Sequence, residues 1–316
     1  MNGFEQNKQG GFCKGRNIKM RANLLLMVTA FIWGFAFVAQ RVGMDHVGPF
    51  TFNGVRFLLG ALSLLPLIWY FRRGNSAEGA VNTENTASSL QVGLMAGTIL
   101  FIAASLQQIG LIYTTAGKAA FITCLYIVLV PLAGLFLKQQ IALNTWAGSL
   151  LAAAGLYFLC VKDDFTVSAG DVLEFIGAGF WTVHILVIDK YASETESLKL
   201  ACYQFIACGV LSLAAALVIE EIALSAILQA GIPILYGGLF SVGIAYTLQI
   251  VGQKQAEPTH AAIILSMETV FAALGGYLLL EELLGMQELI GMALMALGMI
   301  TAQLHMLRST KTQENV

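Results

Sequence analysis

Ten runs of roughly twenty apolar residues dominate this chain, at approximately 22–40, 50–71, 91–111, 117–137, 141–161, 171–190, 198–219, 230–250, 260–280 and 286–306. A helix rises about 1.5 Å per residue, so runs of this length suit the roughly 30 Å hydrocarbon layer of a bilayer. Most connections are too short to build anything else, and the longest, 72–90, is polar. Only 11% of the 316 residues are charged and 57% are hydrophobic, against about 25% charged in an ordinary soluble domain. One soluble core could not hide that much apolar surface. The chain is therefore expected to be an all-α membrane protein with ten transmembrane helices.

Ten crossings put both termini on one side. If that side is cytoplasmic, the inner face holds thirteen Lys and Arg: Lys8, Lys14, Arg16, Lys19, Arg21, Arg72, Arg73, Lys138, Lys190, Lys199, Lys254, Arg308 and Lys311. The outer face holds three, Arg41, Lys118 and Lys162, and Arg56 lies within a span. The positive-inside rule thus places both ends in the cytoplasm. A signal peptide is the alternative for residues 1–21, but the next run is long and no small-residue cleavage site precedes a polar segment. Residues 1–21 are read as a basic cytoplasmic tail, and 307–316 as a second tail. The expected location is the cell membrane, the inner one in a bacterium. The net charge of −2 leaves no basic field for nucleic acid. Five cysteines (Cys13, Cys124, Cys160, Cys202, Cys208) show no ligand spacing. They are read as small core residues with free thiols, and neither a metal nor a cofactor is expected.

A repeat runs through the spans. An offset of 148 pairs Trp33 with Trp181 and Phe57 with Phe205; an offset of 142 pairs Gln107 with Gln249, Ala119 with Ala261, and Gly134 with Gly276. An offset of 143 pairs Gly148 and Gly155 with Gly291 and Gly298. Single identities between apolar segments prove nothing, but a near-constant offset through five successive spans is stronger. Each half, 22–161 and 171–306, has an odd number of crossings, so the halves must be inverted. That is the plan of secondary transporters with a site at the midplane.

The segments IWGFAFVAQRVG (32–43), PFTFNGVRFLLGAL (49–62), YIVLVPLAGLFL (126–137) and METVFAALGGYLLLEELLGMQELIGMALMALGMI (267–300) resemble the ten-helix EamA type of the drug/metabolite transporter superfamily. The resemblance covers 22–306. It implies export or exchange of small metabolites, often amino acids or related compounds. Thr269 departs from the pattern, since a proline commonly follows the acid there, and its absence predicts a less kinked helix.

The candidate site centres on Glu268, deep within an apolar run. A carboxylate there costs several kcal/mol unless it is wetted, paired or protonated. Its face continues through Ala261, Ala272 and Gly275, which suits a cavity wall or close helix packing equally. Tyr126 is its repeat equivalent. A central cavity is expected to hold a small-molecule substrate on Trp33, Phe37, Tyr126, Trp181 and Glu268, with Gln107 and Gln249 towards its two mouths. Aromatic faces would receive an apolar body or amine. Glu268 would pair with a cationic group or carry a proton, or else serve as a structural acid. His184 is the second candidate for proton transfer, against a merely hydrogen-bonded role. Arg56 is read as structural, snorkelling or paired with an acid. The acids Asp163, Asp164, Glu220, Glu221, Glu281 and Glu282 are expected to face water. The glycine pairs Gly148/Gly155 and Gly291/Gly298 predict close helix packing in the bilayer, and a homodimer through one such face stays open.

Two other classes compete with a carrier. A channel would show a charged ring or a carbonyl filter, and neither is plain here. An intramembrane enzyme would need a catalytic motif; HExxH, GxSxG and a P-loop are all missing, and His46, His184, His260 and His305 are scattered.

Overall fold

The computed structural model describes residues 2–75, 84–114, 116–139, 141–160, 168–279 and 284–312, and every element within them is helical. In order these are α1 (Asn2–Gly43), α2 (Pro49–Asn75), α3 (Glu84–Tyr113), α4 (Ala116–Thr123), α5 (Tyr126–Phe136), α6 (Leu143–Cys160), α7 (Ala169–Ala192) and α8 (Ser197–Ile219). They are followed by α9 (Leu224–Gln229), α10 (Gly231–Leu235), a π-helical segment (Tyr236–Tyr246), α11 (Thr247–Gln253), α12 (Pro258–Leu265), α13 (Glu268–Leu279) and α14 (Met286–Thr312).

Among the described residues, eight stretches are long and apolar enough to cross a membrane, and Met286–Ala302 of α14 is a shorter apolar one. The protein is a multi-pass all-α membrane protein. Its outer surface agrees, for Phe136, Val218, Ile232 and Leu143 are each more than four-fifths exposed. Such a surface suits a lipid surrounding. The helix α1 runs unbroken from Asn2 into the first span, which begins at Ile18. Asp163, Asp164, Glu281 and Glu282 lie outside the described residues.

Local chemistry sets the helix ends. Ser168 caps α7: its side chain accepts from Asp171 N at 3.1 Å, while Asp171 Oδ2 accepts from Ser168 N at 2.7 Å. This reciprocal pair satisfies two backbone donors that the first turn leaves free. Glu220, expected in water, does more than that. Its carboxylate accepts from Phe50 N and Thr51 N, both at 2.8 Å, and from Thr51 Oγ1 at 2.7 Å. It therefore fastens the end of α8 to the start of α2, where the helix dipole favours a negative charge. At the end of α5, Lys138 adopts φ 58°, with Gln139 N donating to Gly134 O at 2.9 Å and Lys138 N to Leu135 O at 3.0 Å. This termination suits glycine, because a side chain in the left-handed region costs about 1 kcal/mol. Lys138→Gly should raise stability by about that amount, measured by thermal unfolding in detergent.

The helices pack in recurring pairs: α6 on α14, α2 on α8, α3 on α7 and α8, and α1 on α13, α11 and the π-helical segment. The α6–α14 contact is made by the glycines. A Cβ on Gly148 would lie 2.6 Å from Gly298 O, and one on Gly155 would lie 2.6 Å from Gly291 O. The two glycine faces thus fill each other within one chain. Across the middle, Phe57 meets Phe205 with ring centroids 6.3 Å apart, so repeat-related residues touch.

Two breaks matter most for the site. The fourth apolar run divides after Thr123 and resumes at Tyr126; the ninth divides after Leu265 and resumes at Glu268. Three-residue hydrogen bonds tighten both joints, among them Leu125 N to Ile122 O and Met267 N to Ile264 O, both at 3.1 Å. The ninth run is therefore interrupted despite having threonine after Glu268. Thr269 Oγ1 instead donates to Cys124 Sγ at 2.9 Å, which ties one joint to the other.

Candidate functional site

Glu268 opens α13, and its side chain turns towards the α4–α5 joint. Tyr126 OH donates to Glu268 Oε1 at 3.0 Å, and Cys124 Sγ donates to the same oxygen at 3.3 Å. No described group donates to Oε2. The residue is 5% exposed, and it lines a cavity between the helices.

All seven residues expected to bind substrate line this one cavity: Trp33, Phe37, Gln107, Tyr126, Trp181, Gln249 and Glu268. They come from six elements, so only the tertiary fold could gather them. The stripe beside Glu268 does not join the wall. It packs on α1, where a Cβ at Gly34 would lie 2.8 Å from Ala272 N and from Glu268 O.

The rest of the lining includes residues the sequence did not mark. Tyr246 is the hub of the aromatic side, 4.6 Å from Trp33, 6.2 Å and nearly parallel to Trp181, and 5.9 Å from both Phe57 and Phe205. It closes the π-helical segment, whose wider winding follows a run containing Gly237, Gly238 and Gly243. Ser241 O in that segment accepts from Trp33 Nε1 at 3.2 Å, fixing the indole plane. Three buried polar atoms of lining residues have no described partner: Gln40 Oε1, Trp181 Nε1 and Gln249 Oε1. Buried polar atoms are normally satisfied, so these point to water or a ligand.

Arg56 takes neither of its expected placements. It neither snorkels outward nor pairs with an acid among the described residues. Its side chain is buried, Nε donates to Asn53 Oδ1 at 3.0 Å, and the guanidinium lies 4.9 Å from the Phe57 ring centroid and 5.4 Å from that of Phe52. Arg56 also lines the cavity. Cation–π contact eases burial of its charge without neutralising it.

His184 is outside the lining. It is fully buried behind Trp181 and Tyr246, with Nε2 3.1 Å from Gln204 Oε1 and Nδ1 unpartnered. Cys202 and Cys208 are buried free thiols, as a packing role requires, whereas Cys124 belongs to the carboxylate's shell.

A broken-helix acid and a buried arginine thus share one aromatic cavity within a bundle of helices apolar enough to span a membrane. The EamA-like transporter family matches this chain twice, over residues 20–161 and 168–302, and the chain belongs to that family. An "Uncharacterized transporter" of Archaeoglobus fulgidus is 32% identical over 303 residues, covering 94% of this chain and 90% of that protein. The "Uncharacterized transporter YoaV" of Bacillus subtilis is 20% identical, covering 88% and 95%. The chloroplastic "WAT1-related protein At3g02690" of Arabidopsis thaliana is 23% identical, covering 92% and 71%. One crystal structure, 19% identical, superposes with a TM-score of 0.72 over 91% of this chain and 98% of its own, which shows a shared fold.

Proposed function

We propose that this transporter is a secondary carrier that exports or exchanges a small amino acid by alternating access around the central cavity. In this reading the chain is two inverted five-helix halves, 22–161 and 171–306, crossing the membrane ten times with both termini in the cytoplasm. Several contacts support the inversion. The pairs Gly148–Gly298 and Gly155–Gly291 are reciprocal under the repeat, as contacts across a two-fold axis must be. Tyr126 and Glu268, equivalent residues at equivalent breaks, bond to each other. Discontinuous helices at the repeat interface are where such carriers build their sites.

The observation that carries the substrate class is the presence of Glu268 and Arg56 on one cavity with no ion pair between them. Each is a charge left uncompensated in a poorly solvated place, at a cost of several kcal/mol. An ammonium at Glu268 Oε2 and a carboxylate at Arg56 would compensate both, with the side chain against Trp33, Trp181 and Tyr246. A simple amine would compensate only one.

The test is counterflow in proteoliposomes loaded with a mixture of the common amino acids or with their decarboxylated amines. Exchange is expected for the amino acids, and Arg56→Gln should reduce it about tenfold or more, the loss expected when one hydrogen-bonded charge partner is removed. Linear, non-exchanging flux would instead identify a channel. Equal exchange of amines and amino acids by both proteins would remove the arginine from recognition.

A further inference from the structure

Glu174 is a second acid inside a membrane-spanning helix, distinct from the cavity lining. It lies on α7, six residues past the capping Ser168, and is fully buried. The fold makes room for it: a Cβ on Gly110 of α3 would lie 2.7 Å from Glu174 Oε1. Oε2 accepts from Thr123 Oγ1 at 2.9 Å, whereas Oε1 has no hydrogen-bond partner among the described residues. No described lysine or arginine pairs with it. A carboxylate with a bare oxygen in such a place is costly, and acids inside membrane helices mark proton or ion pathways by default.

Its neighbours form a line. On the cavity side, Thr123 and Gln107 both line the central cavity, and Gln107 Nε2 donates to Thr123 Oγ1 at 3.3 Å. Thr123 thus touches the cavity and Glu174 with one hydroxyl. Towards the membrane surface, Asp171 lies one turn earlier on α7 and accepts from Thr114 Oγ1 at 2.6 Å. Asp171 is 7% exposed at the helix end, where Glu174 is 0%. The positive-inside count puts that end outside.

We propose that Glu174 is a proton-binding site, loaded from the outer surface past Asp171 and joined to the substrate cavity through Thr123, so that transport is coupled to proton movement. This rests on the reading of the central cavity as a transport site. The proton balance is simple: Glu174 Oε2 passes its proton to Thr123 Oγ1 as the Thr123 hydroxyl proton passes to a water in the cavity, and the reverse hop, from hydronium, reloads the acid. No electron moves. Gln107 holds the hydroxyl in line and needs no change of its own protonation.

The other ionisable groups on elements against α7 are few. They are Glu84 and Tyr113 on α3, Lys118 on α4, Tyr126 on α5 and His260 on α12, with the side chains of Glu84 and Lys118 outside the described residues. Tyr126 is committed to Glu268, and His260 Nε2 lies 2.9 Å from Ala302 O. Asp171 is the acid nearest along the helix, so the two carboxyls compete for one proton at the outer end of the path.

The experiment uses the full chain in proteoliposomes, with the mixture of common amino acids as probe and an imposed pH gradient. Wild-type protein should accumulate the probe against its gradient and show counterflow without one. Glu174→Gln, which keeps size and the Thr123 contact, should lose at least tenfold of gradient-driven accumulation and retain counterflow. Glu174→Leu, which removes the carboxyl outside the cavity lining, should do the same, and it stands in if the first variant does not fold. Wild-type counterflow that ignores the pH gradient, or gradient-driven accumulation that survives in both variants, overturns the proposal. Absence of any wild-type counterflow would instead defeat the transport reading on which it rests.

Discussion

Glu268→Gln is expected to yield a folded, monodisperse protein whose amino-acid exchange falls about 30-fold or more, because truncating one partner of a buried charge pair costs roughly 2–5 kcal/mol. The amide keeps the shape of the carboxyl and can still accept from Tyr126 and Cys124, which now hold Oε1 at 3.0 and 3.3 Å. Folding should therefore survive. What is lost is the negative charge facing the cavity, with no other acid among the described lining residues to replace it. The measurement is counterflow beside size-exclusion chromatography of the same preparation. Exchange at the wild-type rate would remove Glu268 from the substrate site and leave it a structural acid. Glu174→Gln is expected to differ, keeping exchange and losing only the response to a pH gradient.

The second large effect is on assembly. Gly298→Leu should abolish the monodisperse fold or lower its stability by at least about 3 kcal/mol, the upper end of ordinary overpacking. A Cβ at Gly298 would meet Ala152 N and Gly148 O, each at 2.7 Å. Both are backbone atoms of α6, so neither can rotate aside, and the helices would have to separate. Gly179→Ala is the matched control: nothing lies within 4 Å of a Cβ there, and the change should be tolerated. Thermal unfolding of the two variants in one detergent checks the difference. A Gly298→Leu protein as stable as the parent would show that α6 and α14 do not approach as described.

How much of the site could be read in advance depends on where its signal lay. Glu268 announced itself because a charge in an apolar run is locally anomalous. Trp33, Trp181 and Tyr126 were reachable because the repeat supplied each with a counterpart. Tyr246 had no such help, for its position in the other half, at an offset of 142, is Ala104. Cys124 looked like core filler until the α4–α5 joint turned it onto the carboxylate. Glu174 was passed over because it stands near a helix end, where an acid is unremarkable in sequence. Burial at 0% is what distinguishes it. Arg56 was seen, but its surroundings were not, and those decide whether a buried cation is structural or available.

The amino-acid order alone determined that this chain is helical, lives in a membrane and carries two related halves. Those properties follow from transfer free energies and spacings that act along a few tens of residues. Only the tertiary structure decided which faces meet, that the glycine stripes consume each other, and that an arginine and a glutamate share a cavity unpaired. Such facts depend on the approach of helices distant in the chain, and hydrophobicity, being without direction, does not encode which side of a helix will find which neighbour.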